Sequence, residues 1–277
     1  FPLEENQVNL TISSNTPSKP SKEQIINQAI QFHLKGNIPE ATKYYQQIIN
    51  QGYNDYRVFS NYGNILKDNG NLKEAEKYLR EAINLNSSYS NDHKDLGNIL
   101  IQKGQLDEAK IATEKAIELN PKNEKAHLNL GAIFKYKGQI NEAEIPTRKA
   151  IELNPDFADA HLNLGGILTD LGKLKEAELS TRKAIELNPN SAQAYFILGS
   201  ILVDLGKLNA AEKSYRKAIK LKPDFAEAHS NLGIIFKDIG KLQEAEIYTR
   251  KAIEINPELL NAYTVLGKVL KDLEELS

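Results

Sequence analysis

Residues 160–190 read AHLNLGGILTDLGKLKEAELSTRKAIELNPN, and this stretch decides the fold. In its first half His161, Leu164, Gly165 and Leu168 fall at i, i+3, i+4 and i+7, one face of a 3.6-residue helix. Asp156, just before it, is placed to cap that helix, and Asp159 adds acid to the first turn. Gly172 supplies a left-handed residue that ends it. In the second half Ala177, Thr181, Ala184, Ile185 and Leu187 form a buried stripe, and Pro189 stops the helix because proline has no N–H to donate. Small residues at Gly165, Ala177 and Ala184 let helices approach closely.

The same pattern recurs along the chain. Gly63, Gly97, Gly131, Gly165, Gly199, Gly233 and Gly267 are 34 residues apart, and Gly36, Gly70, Gly104, Gly138, Gly172, Gly206 and Gly240 run in phase with them. Pro121, Pro155, Pro189, Pro223 and Pro257 keep the same period, as do the alanines from Ala41 to Ala245. A fixed period of this length is the signature of a stacked repeat. It predicts an all-α chain of seven units, 22–55, 56–89, 90–123, 124–157, 158–191, 192–225 and 226–259, followed by a half repeat or capping helix at 260–277. Residues 1–21 are polar, carry Pro2, Pro17 and Pro20, and read as a disordered or extended leader. On the second helices Glu144–Arg148, Glu178–Arg182, Glu212–Arg216 and Glu246–Arg250 are i, i+4 pairs, read as a solvated face.

The Leu-Gly pairs (Leu96-Gly97, Leu130-Gly131, Leu164-Gly165), the second-helix alanines and Asn-Pro at Asn120-Pro121, Asn154-Pro155 and Asn188-Pro189 resemble the tetratricopeptide repeat (TPR). The AHxNLG flavour is most similar to the repeat arm of O-linked N-acetylglucosamine transferase-type proteins. The resemblance implies a right-handed superhelical solenoid of about seven and a half helix-turn-helix repeats. First helices would line its concave side. The chain departs from the family with His93, His127, His161 and His229 at the fourth position and Thr113, Thr147, Thr181 and Thr249 on the second helix. Repeat 1 carries Ala29 and Tyr53 for the glycine and proline. Pro146 lies inside a second helix, where a kink is expected.

Composition narrows the function. The 277 residues include no Cys, Met or Trp, which removes disulfides, thiolate zinc sites and cysteine nucleophiles. Net charge is −2 and mean hydropathy −0.48, giving no basic field for nucleic acid or an anionic membrane. No apolar run is long enough to span a bilayer and no signal peptide opens the chain, so the expected location is cytoplasmic. Without an initiator Met, the chain reads as processed or excised. Gly-Lys pairs such as Gly172-Lys173 lack the spacing and the hydroxyl of a phosphate loop. The histidines, one per repeat, are too far apart to share an ion and read as packed structural residues. Asn9 and Asn86 open glycosylation sequons. No catalytic constellation or cofactor motif stands out; the expectation is a non-enzyme with no metal and no cofactor.

Three sets of residues could carry binding. By resemblance to the family, the position two before the Leu-Gly glycine faces the groove. It holds Asn27, Asn61, Asn129, Asn163 and Asn231, besides Asp95, Ile197 and Val265. An asparagine amide both donates and accepts, so a row of them suits an extended peptide backbone; the alternative is bonding within the helix layer. A second column, Asp68, Asp170, Asp204, Asp238 and Asp272, sits near the first-helix ends, where acid opposes the dipole. It would read basic ligand residues, or else pair internally as Asp170–Lys173, Asp204–Lys207 and Asp238–Lys241. Lys94, Asn98 and Asn129 match part of a clamp for a C-terminal carboxylate, but Asp159 and Asn163 stand where its further basic groups belong. Repeat 6 carries six basic and three acidic residues, with Lys213, Arg216, Lys217, Lys220 and Lys222 on its second helix.

The expected function is a protein–protein interaction module that holds an extended, partly basic peptide. The alternative is the substrate-recruiting arm of a larger enzyme, such as a glycosyltransferase, whose catalytic domain lies outside this chain. Leu266, Val269, Leu270 and Leu273 of the last half unit would then be covered by further sequence or by self-association.

Overall fold

The structure is a computed structural model and describes residues 21–275. Among these it contains fifteen α-helices and no strand. The leader reading and the Asn9 sequon lie outside the described residues, except for Ser21. That residue caps the first helix: its Oγ accepts from the Gln24 N–H, and the Gln24 side chain accepts from the Ser21 N–H.

The chain forms two compact units, one ending at Asn86 and one beginning at Ser87. Their boundary falls where the Asn-Pro of later repeats is replaced by Asn86-Ser87. The first unit holds α1 (Lys22–Leu34), α2 (Ile38–Asn50), α3 (Tyr56–Asp68) and α4 (Leu72–Leu85). Ile26, Tyr45, Ile48, Val58 and Tyr62 are its core. The second unit holds α5 (Ser90–Gln102), α6 (Leu106–Leu119), α7 (Glu124–Tyr136), α8 (Ile140–Leu153), α9 (Ala158–Asp170), α10 (Leu174–Leu187), α11 (Ala192–Asp204), α12 (Leu208–Leu221), α13 (Ala226–Asp238), α14 (Leu242–Ile255) and α15 (Leu260–Glu274). Within each unit consecutive helices pack in pairs, and each pair packs on the next.

Recurring side-chain columns explain why most pairs close alike. Gly172 adopts φ +71°, and the Lys173 N–H then reaches back to the Leu168 carbonyl at 2.8 Å, which ends α9 and starts the turn into α10. Gly165 acts through packing instead. A Cβ there would collide with Oγ1 of Thr181, which is fully buried on the partner helix. The threonines that replace the family's aromatic are thus seated directly on the Leu-Gly glycines, and Gly97, Gly131 and Gly233 meet Thr113, Thr147 and Thr249 in the same way.

The asparagine before each proline folds back on its own turn. Asn120, Asn154, Asn188 and Asn256 accept with Oδ1 from the N–H two residues on, at 3.0–3.3 Å. This settles Asp156 differently from the sequence expectation: its N–H is donated to Asn154, and the N-cap of α9 is Phe157, which gives no side-chain cap. The histidines lock the same turns. His93, His127, His161 and His229 each place Nε2 2.8–3.0 Å from the carbonyl six residues earlier, so Nε2 carries the proton and donates.

The four Glu–Arg pairs form at 2.8 Å. The pairs proposed within the Asp column do not. Lys173 reaches Glu144 and Lys207 reaches Glu178, each at 2.8 Å, because the left-handed glycine turn aims these lysines at the preceding second helix. Asp170 is bound instead by Lys135 of the preceding repeat (3.2 Å), and Asp238 by its neighbour Lys237 (2.6 Å). α8 runs unbroken from Ile140 to Leu153 with Pro146 buried inside it. In α15 the expected apolar stripe is used internally: Val265 and Val269 are buried and Leu273 packs beside them on the repeat 7 core, leaving Leu266 and Leu270 half-buried.

Candidate functional site

Among neighbouring first helices of the second unit, α5–α7, α7–α9, α9–α11 and α13–α15 touch. Between α11 and α13 comparable contact is missing, and a cavity of about 190 Å³ opens there. Its apolar walls are Val203 and Leu208 on one side and Ile234 and Ile235 on the other. Polar groups enter from Ser200, Tyr215, Asn231, Asp204 and Asp238. Three of the residues singled out from sequence, one asparagine and two aspartates, therefore share one cavity.

A directed chain of hydrogen bonds supports it. Asn231 Nδ2 donates to the Tyr215 hydroxyl (3.1 Å), which lies 3.0 Å from Ser200 Oγ, and Ser200 donates to the Phe196 carbonyl (3.3 Å). Reading the donors in order, the Tyr215 O–H points at Ser200. Burial pushes the phenol pKa up, against the opposing hydrogen bonds to Ser200 and Asn231, so it stays a neutral donor. Asn231 spends one N–H on this chain and keeps an acceptor and a second donor. Asp204 is exposed at the end of α11, while Asp238 holds Lys237.

Tyr215 and Ser200 were not singled out from sequence. The available signal was a departure: the repeat 6 position that holds Thr113, Thr147, Thr181 and Thr249 elsewhere holds Tyr215, whose ring lies where a Cβ on Gly199 would sit.

The other asparagines are spread over both units. Asn27 is exposed and bonds to Glu23. Asn61 bonds to Tyr45, whose phenol is pushed up to about 12 by burial. Asn129 donates to the Lys94 carbonyl at 3.3 Å, within the helix layer. Asn163 is half-buried and makes no side-chain hydrogen bond among the described residues. In the partial clamp, Lys94 is already neutralised by Asp95 at 3.1 Å and Asn98 accepts from Gln102 at 2.8 Å. Among the described residues no group of three or more metal-ligating side chains gathers, and no helix is long and apolar enough to cross a membrane.

A tetratricopeptide-repeat model matches residues 56–89, and the model of the cilia and flagella-associated protein 70 C-terminal domain matches residues 94–277. No curated protein matches the chain in sequence. Among solved structures the chain is similar to YrrB, described as a TPR protein with an unusual peptide-binding site, at 26% identity and TM-score 0.53 over 67% of this chain and 96% of that one. It is similar to MamA at 29% identity and TM-score 0.53, over 59% of this chain and 95% of the other. The APC/C hetero-tetramer Cut9–Hcn1 shares the fold at TM-score 0.78 and 16% identity, over 90% of this chain and 49% of that one.

Proposed function

Because the chain belongs to the family of the cilia and flagella-associated protein 70 C-terminal domain, built of tetratricopeptide repeats, we propose that it holds an extended polypeptide against its first helices and reads a basic side chain between α11 and α13. The observation that carries this is the meeting of Asn231, Asp204 and Asp238 in one cavity with apolar walls. A lysine or arginine has the matching shape, an aliphatic stem ending in a cation. Its stem lies along Val203 and Ile234, and its head meets the exposed Asp204. The remaining donor and acceptor of Asn231 suit the ligand's backbone amide. YrrB, a relative in fold at 26% identity, is itself described by a peptide-binding site, which supports a peptide as the class of ligand.

The test is fluorescence polarisation in solution against a library of ten-residue peptides with one central Lys, Arg or norleucine. Binding that requires the cation and falls about tenfold in Asp204→Asn, and again in Asn231→Ala, supports the reading. Equal binding of norleucine peptides, or an unchanged Asp204→Asn variant, overturns it.

A further inference from the structure

A larger cavity, about 490 Å³, lies against α6, α7 and α8, away from the site at α11 and α13, with the turn histidine His127 and the helix proline Pro146 on its wall. Its volume falls in the range of ordinary ligand pockets, about 300–1,000 Å³. Ile117, Leu130, Phe134, Ile145 and Pro146 wall it. The sequence columns explain why it is open. In repeats 1 and 7 the equivalent phenylalanine is covered by a tyrosine of the following helix: Phe32 stacks on Tyr44 and Phe236 on Tyr248, in both cases with centroids 5.4 Å apart and planes at 29°. Repeat 4 keeps the phenylalanine, Phe134, but has Pro146 at the tyrosine position. Repeats 3, 5 and 6, which also lack that tyrosine, carry Leu100, Leu168 and Leu202 in place of the phenylalanine. Repeat 4 alone pairs an aromatic floor with a missing ring, and the group that lies over that floor is the Lys110 ammonium, 5.6 Å from the Phe134 ring centre.

The rim supplies a charge argument. In repeat 7, Arg216 Nη1 donates to the Tyr248 hydroxyl at 2.7 Å. The equivalent residue beside the repeat 4 cavity is Glu114, an acceptor. Lys110, whose ammonium lies over Phe134, is paired with Glu114, and Lys149 with Glu152, whereas Glu142, which lines the cavity, has no ion pair among the described residues and is the one unmatched charge. Pro146 also has no N–H to give the Glu142 carbonyl. The surplus at the rim is thus negative and accepting. Finally, Ile111, Ile145 and Leu179 occupy one register on α6, α8 and α10 and are 69%, 74% and 70% exposed, so apolar surface continues on both sides of the opening. Single exposed aliphatics are ordinary; three in register beside a cavity form a patch.

We propose that this cavity is a docking pocket for one tyrosine side chain of a partner polypeptide, its ring stacked on Phe134, its hydroxyl donating to the acidic rim, and its flanking residues basic or neutral. The site is independent of the peptide reading at α11 and α13.

The probes are p-cresol and the peptide acetyl-Gly-Lys-Gly-Tyr-Gly-Lys-Gly-amide, titrated into the full chain with methyl-labelled isoleucine and leucine and followed by NMR. Saturable shifts at Ile117, Leu130 and Ile145, at least tenfold weaker for the phosphotyrosine peptide, are the expected result. Pro146→Tyr, which restores the ring that repeats 1 and 7 carry, should weaken both probes at least tenfold while circular dichroism stays helical. Phe134→Leu, the residue of four other repeats, serves the same purpose if Pro146→Tyr loses its helical signal. Asp204→Asn should change nothing here. Unmoved methyls at these residues, or equal binding in Pro146→Tyr or Phe134→Leu, overturns the proposal.

Discussion

Repeats 4 and 7 have the same two-helix backbone and end in opposite surfaces. Repeat 7 covers Phe236 with Tyr248 and ties the tyrosine to Arg216, whose guanidinium lies 5.3 Å from the Phe236 ring centre and 5.5 Å from that of Tyr248. Repeat 4 leaves Phe134 beneath an open cavity. The differences are Pro146 for tyrosine, Glu114 for arginine, and Lys110, which lies over Phe134 where repeat 7 has Glu212. It teaches that in a repeat fold the scaffold and the sites are separable: the alanine and glycine columns build the pairs, with threonine seated on the glycine in repeats 3, 4, 5 and 7, and departures from the columns make the places where something can bind. The cavity at α11 and α13 follows the same rule, since it forms where Tyr215 breaks the threonine column.

The comparison can be broken from either end. The largest effect should come from opening repeat 7. Tyr248→Ala removes a half-buried ring with two aromatic and cationic neighbours and should lower stability by about 3 kcal/mol in urea unfolding. It should also create in repeat 7 a cavity like that of repeat 4; no loss of stability would sink the idea that Tyr248 closes this surface. Next come the glycines that both repeats share. Gly131→Ala or Gly233→Ala drives a methyl against Thr147 or Thr249 and should cost about 2 kcal/mol. Gly267→Ala should instead raise stability by about 0.5–1 kcal/mol, because no atom lies within 4 Å of a Cβ there. Equal effects at Gly233 and Gly267 would show that packing is not what fixes the column.

Third, Pro146→Ala should stabilise by about 1 kcal/mol by restoring a helical N–H, yet leave the cavity open. That variant separates the helix effect of the proline from the absence of a ring. The smallest effect is electrostatic. Glu144 in repeat 4 is held by Lys173 and Arg148, whereas Glu246 in repeat 7 is held by Arg250. Lys173 first, then Arg148, keeps the Glu144 carboxyl below the usual glutamate range. A lowered folded-state pKa contributes stability that is present above the unfolded value of about 4.3 and is lost as pH falls through the folded one. Glu144→Gln should therefore cost about 0.5 kcal/mol at pH 7 and reduce the stability lost on acidification below about pH 4, as read from urea midpoints against pH.

The repeating unit was legible because its causes are local. A left-handed glycine, an Asn-Pro turn and a 3.6-residue apolar stripe act within one helix or one turn, and a column of identical residues reports them directly. The Asp–Lys pairing departs from expectation because Asp170 and Lys173 are near in sequence but separated by the Gly172 turn, which sends the lysine to Glu144, 29 residues earlier. The cavities were invisible for a related reason. Each depends on which side chains of different helices face one another: Phe134 with Pro146, or Asn231 with Tyr215. Helical periodicity within one segment does not show those pairings, although reading two columns against each other does. The family itself was legible in the Leu-Gly and Asn-Pro columns, while the division between Asn86 and Ser87 had only a missing proline to mark it.

The histidine that holds four of these turns has a consequence for how such an array can grow. Its donor and acceptor, His161 and the Pro155 carbonyl for example, straddle the junction between one repeat and the next. A duplication or graft whose seam falls between residues 155 and 161 separates the two halves of that lock unless the inserted segment carries both. A seam at the Gly172 turn cuts no such bond. The portable cassette of this chain therefore runs from glycine turn to glycine turn, out of step with the helix pairs by half a unit, and lengthening the array by 34 residues at Gly172 should be the insertion that it tolerates best.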